Sequence, residues 1–449
     1  MDLPYMNIKH LTSAALLSFA LIAPLHAAEH AKNPSSGASV ALLVPKAEAG
    51  NAGAQRELAD HFYDGDGVLQ SYEKAAQWYA KAAEQGDAVA QFALGYMYDE
   101  GQGVTLDDAR AIELYTQAAE QNHAGAQYNL ALMYDVGEGV PVDDLKAIDW
   151  YWRAAEQGHA DAQFNLALMY DEGEGVPVND QKAIEWYRKA AEQGHADAQF
   201  NLALMYDMGE GVPVDDREAV RWYTAAAEQG DATAQYNLAL MYDEGEGVPV
   251  NDQLAVQWYR RSAEQGDMDA QYNLALMYDE GEGVEIDDAE ALNWYAFAAN
   301  QGHASAQYNL AIMYDEGEGT EEDNAAAIKW YSASAEQGNR DAQYNLAVMY
   351  DEGEGMPEDN QAAIKWYTAA AQQGEPSAMF NLGIMYMNGE GMRRNQRMAY
   401  LLFSLCAAQG LPDAREARDL MGEKLSKDEL TTAQRAAVEW QLDTAFPAL

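Results

Sequence analysis

The sequence contains a single cysteine, Cys406, and few basic residues. One cysteine excludes an intramolecular disulfide, so packing alone must stabilise the fold. Cys406 lies in the apolar segment YLLFSLCAAQG, which indicates a buried small side chain rather than a reactive thiol. Lysine and arginine total 27 against 74 aspartate and glutamate residues, a formal net charge of −47. This charge would repel nucleic acid and anionic membrane surfaces, and it favours cationic partners.

Motifs for catalysis and for metal binding are also lacking. The chain has no Gly-x-Ser-x-Gly turn, no phosphate-binding glycine loop and no His-Glu-x-x-His pair. We therefore expect no enzyme activity, no cofactor and no metal site. Acidic segments such as DEGEGVPVND do not follow the ligand order of an EF-hand, so we expect only loose screening by divalent ions there.

Beyond the N-terminus the chain has no long apolar run. Lys9 precedes the segment LTSAALLSFALIAPL, and small residues follow at Ala27 and Ala28. This order is typical of a cleavable signal peptide, here residues 1–28, with cleavage near Ala27 or Ala28. We expect a mature protein that is periplasmic or secreted and that has no membrane span. Residues 29–53 include NPSSGAS and show little periodicity, which predicts a flexible leader.

A segment of 36 residues recurs ten times without a gap. Residues 162–197, AQFNLALMYDEGEGVPVNDQKAIEWYRKAAEQGHAD, are a representative copy, and the ten copies fill residues 54–413. A fixed period of this length predicts a solenoid, because one unit cannot bury its apolar surface without neighbours. Residues 414–449 contain Ser426 and Glu429 at the spacing of a capping box, which predicts C-terminal capping helices.

Each unit contains two predicted helices. The first, helix A, has apolar residues at helical spacing, such as Ala126, Leu130, Met133 and Tyr134, and it ends at a pair of glycines. The second, helix B, begins at a position that holds a good N-cap residue in every unit. These N-cap residues are Ser71, Asp107, Asp143, Asn179, Asp215, Asn251, Asp287, Asp323, Asp359 and Asn395.

Two further repeated positions have structural interpretations. The Trp-Tyr pair of helix B, for example Trp150 and Tyr151, is expected in the core between units. Histidines recur just before helix A, where equivalent atoms of neighbouring units lie about 10 Å apart. That distance is too long for two imidazoles to bind one ion. We therefore interpret the position as an N-cap; the histidines are His123, His159, His195 and His303.

The segment YDEGEGV, followed by an N-cap residue and KAIEWYRKAAEQG, resembles the Sel1-like repeat, an αα relative of the tetratricopeptide repeat. The resemblance implies an all-α, right-handed superhelical solenoid of ten helix-turn-helix units with C-terminal capping helices. Members of this family commonly act as adaptors that organise protein complexes, including exported bacterial ones. A cysteine-rich secreted branch is linked with penicillin binding and β-lactam hydrolysis, but its paired cysteines are absent here.

In tetratricopeptide-like arrays helix A lines the concave side, which makes its outer face the candidate binding surface. An aromatic, an asparagine and an aliphatic residue point away from the main core stripe in each unit. The asparagine can hydrogen-bond an extended backbone, and an acidic band at the helix ends favours a basic or amphipathic protein segment. The predicted partner-binding residues are Tyr128, Leu132, Phe164, Leu168, Phe200, Leu204, Tyr236, Leu240, Tyr272, Leu276, Tyr308, Asn165, Asn201, Asn237 and Asn273.

Three functions remain open at this point. The first is an exported, monomeric, non-catalytic scaffold that binds a protein segment on the concave face. The second is an envelope factor that binds polysaccharide or peptidoglycan through exposed aromatic residues and carboxylates. The third, by family analogy, is a β-lactam hydrolase. A structural alternative is that the aromatic, asparagine and aliphatic residues only pack adjacent A helices, and that the carboxylates form a solvated face.

Overall fold

The computed structural model describes residues 36–449, which form two compact bodies, residues 36–214 and residues 215–449. The described residues form 23 α-helices and no strand, which confirms the predicted all-α fold. Among these helices, none has the length and apolar character needed to cross a membrane. The predicted signal peptide and residues 29–35 lie outside the described part of the chain.

Helices A and B alternate along the chain. From α2 to α21 the even-numbered helices are A helices and the odd-numbered ones are B helices, and consecutive helices pack together within each body. The first body contains α1 Ser36–Glu48, α2 Ala52–Asp64, α3 Tyr72–Ala83, α4 Ala88–Asp99, α5 Asp108–Glu120, α6 Ala124–Val136, α7 Asp144–Glu156, α8 Ala160–Glu172, α9 Asp180–Glu192 and α10 Ala196–Met208. The second contains α11 Asp216–Glu228, α12 Ala232–Glu244, α13 Asp252–Glu264, α14 Met268–Glu280, α15 Asp288–Gln301, α16 Ala304–Glu316, α17 Asn324–Glu336, α18 Arg340–Glu352, α19 Asn360–Gln372, α20 Pro376–Asn388, α21 Gln396–Ala408, α22 Pro412–Lys424 and α23 Lys427–Glu439.

The B helices begin at the predicted N-cap residues. In α9 the side chain of Asn179 accepts a hydrogen bond from Lys182 N at 3.1 Å. All ten predicted N-caps make the equivalent bond with an oxygen of their side chain. Each bond satisfies a backbone N–H that would otherwise have no partner in the first turn, so this prediction is confirmed.

The A helices are capped at both ends. At the start of α8, Nδ1 of His159 accepts a hydrogen bond from Ala162 N at 3.3 Å. The other three histidines at this position make the same bond, which confirms them as N-caps. The helix ends at Gly173, whose φ of 78° is left-handed and whose N–H donates to Met169 O. Glycine adopts this conformation without the clash that a Cβ would cause.

The core of each unit is built around a tyrosine from helix B. Tyr151 and Tyr187 are 0% exposed, and equally buried alanines let the neighbouring helices approach closely. The preceding tryptophan lies closer to the surface, since Trp186 is 6% exposed and Trp150 is half-buried. In the tenth unit Phe403 takes the place of the tyrosine and is also 0% exposed. The tyrosine is therefore core, as predicted, whereas the tryptophan is buried in α9 and α11 and half-buried in the other units that carry it.

Helices α22 and α23 follow the tenth unit and pack against α21. Ser426 and Glu429 form the predicted capping box at the start of α23. Cys406 of α21 is 0% exposed, and burial raises the pKa of its thiol to about 11. The thiol is therefore protonated at neutral pH, which confirms its interpretation as a small core side chain.

Helix α1 differs from the flexible leader that the sequence predicted. Val40 and Leu43 of α1 are 7% and 8% exposed, and they pack in one cluster with Leu58 of α2. Nε2 of Gln55 donates a hydrogen bond to Ala47 O at 3.0 Å. These contacts cover the apolar face that the first full unit would otherwise expose to water.

Helix α1 is the B helix of an incomplete preceding unit. Its end, AEAGN at residues 47–51, corresponds to AEQGD at residues 83–87 of the first full unit. Leu43 therefore stands where Tyr79 stands one unit later. The AEAGN segment could have identified this additional B helix from the sequence. The repeat was hard to recognise because the segment before it has no Trp-Tyr pair and contains Pro45.

A buried glutamine of helix A joins each unit to its neighbours, and the sequence pattern did not reveal it. Gln163 is 4% exposed; its Nε2 donates to Ala155 O at 3.0 Å, and its Oε1 accepts from Gln193 Nε2 at 2.7 Å. The amide thus satisfies both of its polar atoms in the core. The same pair of bonds is made by Gln55, Gln91, Gln127, Gln235, Gln271, Gln307 and Gln343.

Replacing Gln163 by methionine is expected to lower the free energy of unfolding by about 1 kcal/mol. Ala155 O loses one of its hydrogen bonds and keeps the one from Gly158 N, and Nε2 of Gln193 loses its amide acceptor. The tenth unit carries this methionine naturally at Met379, so the side chain fits the site. Urea unfolding followed by circular dichroism measures the change as a lower midpoint.

The matched control is Gln253→Met at an exposed position of α13, where a change within about 0.5 kcal/mol is expected. The converse variant, Met379→Gln, should raise the midpoint, because an amide oxygen accepts from Gln409 Nε2 more strongly than Met379 Sδ does at 3.8 Å. Equal midpoints for Gln163→Met and Gln253→Met would show that the buried glutamines do not stabilise the junctions.

Candidate interaction surface

The predicted aromatic residues of helix A lie between units rather than free on the surface. The ring of Tyr128 stacks on His159, the N-cap of the next A helix, with 4.7 Å between centroids, and contacts the buried Tyr151 at 5.9 Å. Tyr128 is half-buried as a result. Equivalent ring contacts to the helix B tyrosine occur at Phe164, Tyr236, Tyr272 and Tyr308, and Phe200 is half-buried at the same position.

The asparagine of helix A is used inside the fold. Nδ2 of Asn165 donates to Tyr151 OH at 3.0 Å, and Tyr151 OH donates to Asp135 Oδ2 at 3.0 Å. This relay links α8 to α7 and α6. Nδ2 of Asn165 therefore satisfies a buried hydroxyl inside the fold, and binding of a partner backbone by the rest of this amide stays a prediction. The same bond to tyrosine is made by Asn129, Asn309, Asn345 and Asn381.

The remaining predicted asparagines occupy the same position of the unit. Asn201, Asn237 and Asn273 are half-buried on helix A. The structure thus brings the aromatic and asparagine residues together within the junctions between units, where they support the packing of helices A and B.

The predicted aliphatic residues are half-buried on the outer face of helix A. They are Leu132, Leu168, Leu204, Leu240 and Leu276.

Exposed carboxylates share that face. At 100° per residue, Leu168 and Glu172 lie about 20° to either side of Asp161 on the helix wheel. Asp161 and Glu172 are exposed, whereas Leu168 is half-buried. We call this set the A stripe: one aliphatic residue between two carboxylates on one helix. The complete A stripes are Asp161, Leu168 and Glu172; Asp269, Leu276 and Glu280; and Asp341, Val348 and Glu352. The first carboxylate of the stripe was not among the predicted residues, although the helical spacing was available as a signal.

Carboxylates also meet at the junctions between units. One oxygen each of Asp99, Asp108 and Glu138 lies within 4.8 Å of the others. Burial, and secondarily the charges of Glu138 and Asp108, raises the pKa of Asp99 to about 6 despite a hydrogen bond from Tyr115. Carboxylates in such a group are common without an ion, so the absence of a metal site stays a prediction. Burial also raises the pKa of Asp135, Asp243, Asp315, Asp351, Glu174 and Glu318.

Asp99→Asn is expected to raise the melting temperature at pH 7 and to raise it less at pH 5. The folded-state pKa of Asp99, about 6, lies above the usual aspartate value of 3.8. The folded state therefore holds the proton more tightly, and the contribution of Asp99 to stability is present below the usual pKa and is lost as the pH rises from that value to about 6. Circular dichroism melts of both proteins at pH 5, 6 and 7 and constant ionic strength measure the difference.

The control is Asp197→Asn at an exposed carboxylate of α10, which should give the same small change at each pH. Comparison of variants is needed because burial lowers the pKa of His123, His159 and His303, and those groups act in the opposite direction. A rise in melting temperature on Asp99→Asn that is larger at pH 5 than at pH 7 would contradict the raised pKa of this carboxyl.

Comparison with known proteins settles the family. The Sel1 repeat model matches ten consecutive segments: residues 52–87, 88–123, 124–159, 160–195, 196–231, 232–267, 269–303, 304–339, 340–375 and 376–411. The chain belongs to the Sel1 repeat family. The matched units begin two residues before the predicted ones, because helix A begins two residues before its first buried alanine, as Ala124 precedes Ala126.

Two solved structures resemble this Sel1 repeat protein. A protective antigen present in uropathogenic Escherichia coli strains, displaying an SLR fold, is 34% identical, with 88% of this chain and 93% of that chain covered and a TM-score of 0.69. A Sel1 repeat protein from Oxalobacter formigenes is 38% identical, with 67% of this chain and 87% of that chain covered and a TM-score of 0.53. No curated protein matches the chain.

Proposed function

We propose that this Sel1 repeat protein is a non-catalytic scaffold that binds a basic, amphipathic segment of a partner protein along its A stripes. The repeat fold is typical of protein-interaction scaffolds, and the family is generally non-catalytic. The observation that supports the proposal is the recurrence of an aliphatic side chain between two carboxylates on the outer face of helix A. Both carboxylates are exposed in α8 and α14, whereas in α18 Asp341 is half-buried and pairs with Arg340 at 3.0 Å. Aliphatic side chains of the partner would contact the leucines while lysines and arginines meet the carboxylates.

The charges of the A stripes favour a cationic partner. The side chains of Asp161 and Asp269 are 56% and 52% exposed. The basic groups within 4 Å of Asp161 are the imidazoles of His159 and His195, at 3.8 and 3.4 Å. A lysine or arginine from a partner would therefore add a full positive charge beside this carboxylate. The net charge of −47 also attracts cations over longer distances, an effect that salt screens.

We further propose that the scaffold works outside the cytoplasm, in the periplasm or after secretion. The N-terminal apolar segment with its small residues at Ala27 and Ala28 supports export. The Escherichia coli relative is described as a protective antigen, which agrees with a location accessible to antibodies. The polysaccharide alternative has less support, because the repeated aromatic rings of helix A pack against tyrosine and histidine rings.

A fluorescently labelled amphipathic peptide made of lysine and leucine is expected to bind the mature protein. The same peptide with glutamate in place of every lysine is not expected to bind. Raising sodium chloride from 50 to 500 mM should weaken binding about tenfold or more, because the contacts are between exposed charges. Fluorescence anisotropy measures both affinities. The binding variant is Leu168→Ser, Glu172→Gln, Leu276→Ser and Glu280→Gln, which changes the A stripes of α8 and α14 and spares the tyrosines and asparagines that support the fold.

The matched control carries the same types of substitution at exposed positions outside the A stripes. These are Val250→Ser, Ile286→Ser, Glu228→Gln and Glu264→Gln. The proposal expects loss in the first variant and retention in the control. The wild type, the binding variant and the control variant are also used as baits in an envelope extract at both salt concentrations. A natural partner should be retained by the wild type and the control at low salt, and lost from the binding variant and at high salt. Equal binding by the two variants would reject the A stripes as the binding surface.

A further inference from the structure

Helix B of the second unit lacks the tryptophan that most other units carry. Leu114 of α5 occupies that position. In the tenth unit Leu402 does so, but it is 0% exposed within the core that the terminal helices complete. The equivalent tryptophans are Trp78, Trp150, Trp186, Trp222, Trp258, Trp294, Trp330 and Trp366.

Beside Leu114 an open groove runs between α3 and α5. Ala83, Leu94 and Leu114 form its apolar floor, and they are 6%, 3% and 2% exposed. Exposed polar side chains form its rim, with Glu84 from α3 and Arg110 from α5. The groove thus combines a buried apolar floor with charged groups at the edge, the composition typical of a site for an amphipathic ring.

The next unit shows what fits this space. Ala119 and Leu130 lie 36 residues after Ala83 and Leu94, and both belong to the core against which Trp150 packs. Trp150 is itself 36 residues after Leu114. The groove between α3 and α5 therefore corresponds to the space that an indole ring occupies one unit further along the chain.

The other units also show how an indole is held at this position. The guanidinium carbon of Arg153 lies 4.6 Å from the ring centroid of Trp150. Nε1 of Trp222 donates to Glu218 Oε2 at 3.1 Å. An indole is thus stabilised there by a cation over its face and a carboxylate near its N–H. In the second unit Gln117 stands at the position of Arg153, and Arg110 stands at the position of Glu218, where it pairs with Glu113. The cation and the carboxylate on the rim of the groove beside Leu114 are therefore Arg110 and Glu84, at positions that differ from those of the other units.

We propose that the groove between α3 and α5 binds the indole ring of a tryptophan side chain presented by a partner protein. The ring packs on Ala83, Leu94 and Leu114, the guanidinium of Arg110 stacks on its face, and Glu84 accepts from its N–H. This site is separate from the A stripes, since it lies between two B helices and recognises an aromatic rather than a basic group.

The test uses N-acetyl-5-fluorotryptophanamide as the probe and follows its fluorine NMR signal on addition of the mature protein. The wild-type chain should give saturable broadening from one site, with a dissociation constant on the order of 1 mM, as is usual for a ligand of this size. Leu114→Trp should remove the binding, because its own indole fills the groove. Eight other units carry this tryptophan, so the variant is compatible with the fold.

Two further variants make the test decisive. Trp150→Leu should open a second groove and double the stoichiometry, and Ala80→Leu should narrow the first groove from the α3 side and weaken binding about tenfold. Circular dichroism confirms that each variant is folded. Unchanged binding in folded Leu114→Trp would overturn the proposal, as would the absence of saturable binding by the wild-type chain.

The choice of ligand is tested in parallel. N-acetyl-leucinamide should not displace the probe, because it lacks the planar ring. Binding of free 5-fluoroindole without binding of the tryptophan derivative would assign the groove to a free aromatic compound and overturn the assignment to a partner's side chain.

Discussion

The buried tyrosine of helix B is the group on which each junction between units depends. Its ring fills the core, but its hydroxyl must be hydrogen-bonded there. For Tyr151 the acceptor is Asp135 of the preceding helix and the donor is Asn165 of the following one. One side chain thus fixes the position of three helices. In the tenth unit Phe403 and Met387 replace the tyrosine and the aspartate together, so neither an unpaired hydroxyl nor an unpaired carboxylate remains.

This constraint decides which side chains are left for partners. The aromatic and asparagine positions of helix A support the tyrosine, and the buried glutamine joins the helix ends, so all three are used in packing. The aspartate that accepts from the tyrosine is partly buried, and at Asp99 burial, with the charges of nearby carboxylates as a smaller cause, raises its pKa. Two surfaces remain available to partners. They are the A stripes and the groove between α3 and α5, where Leu114 takes the place of a tryptophan.

The sequence predicted most of what depends on local pattern. The period, the N-caps of helix B, the histidine caps of helix A and the buried tyrosine of helix B each follow from residue type and spacing within one unit. The bonds of Gln163 and Asn165 could not be predicted this way, because they depend on how the helices are staggered. Ala155 and Tyr151 belong to the preceding unit, and Gln193 lies at the end of the other helix of the same unit. Helix α1 was missed because it keeps only the end of the repeat, AEAGN, without the aromatic pair.

A double-mutant cycle between Tyr151 and Asn165 tests the central claim most directly. The free energy of unfolding would be measured by urea titration for the wild type, Tyr151→Phe, Asn165→Ala and the double variant. If the asparagine supports the buried hydroxyl, the two changes should couple by about 1 kcal/mol. Additive effects would contradict this account, and would return the asparagine side chains of helix A to the surface that is available to a partner.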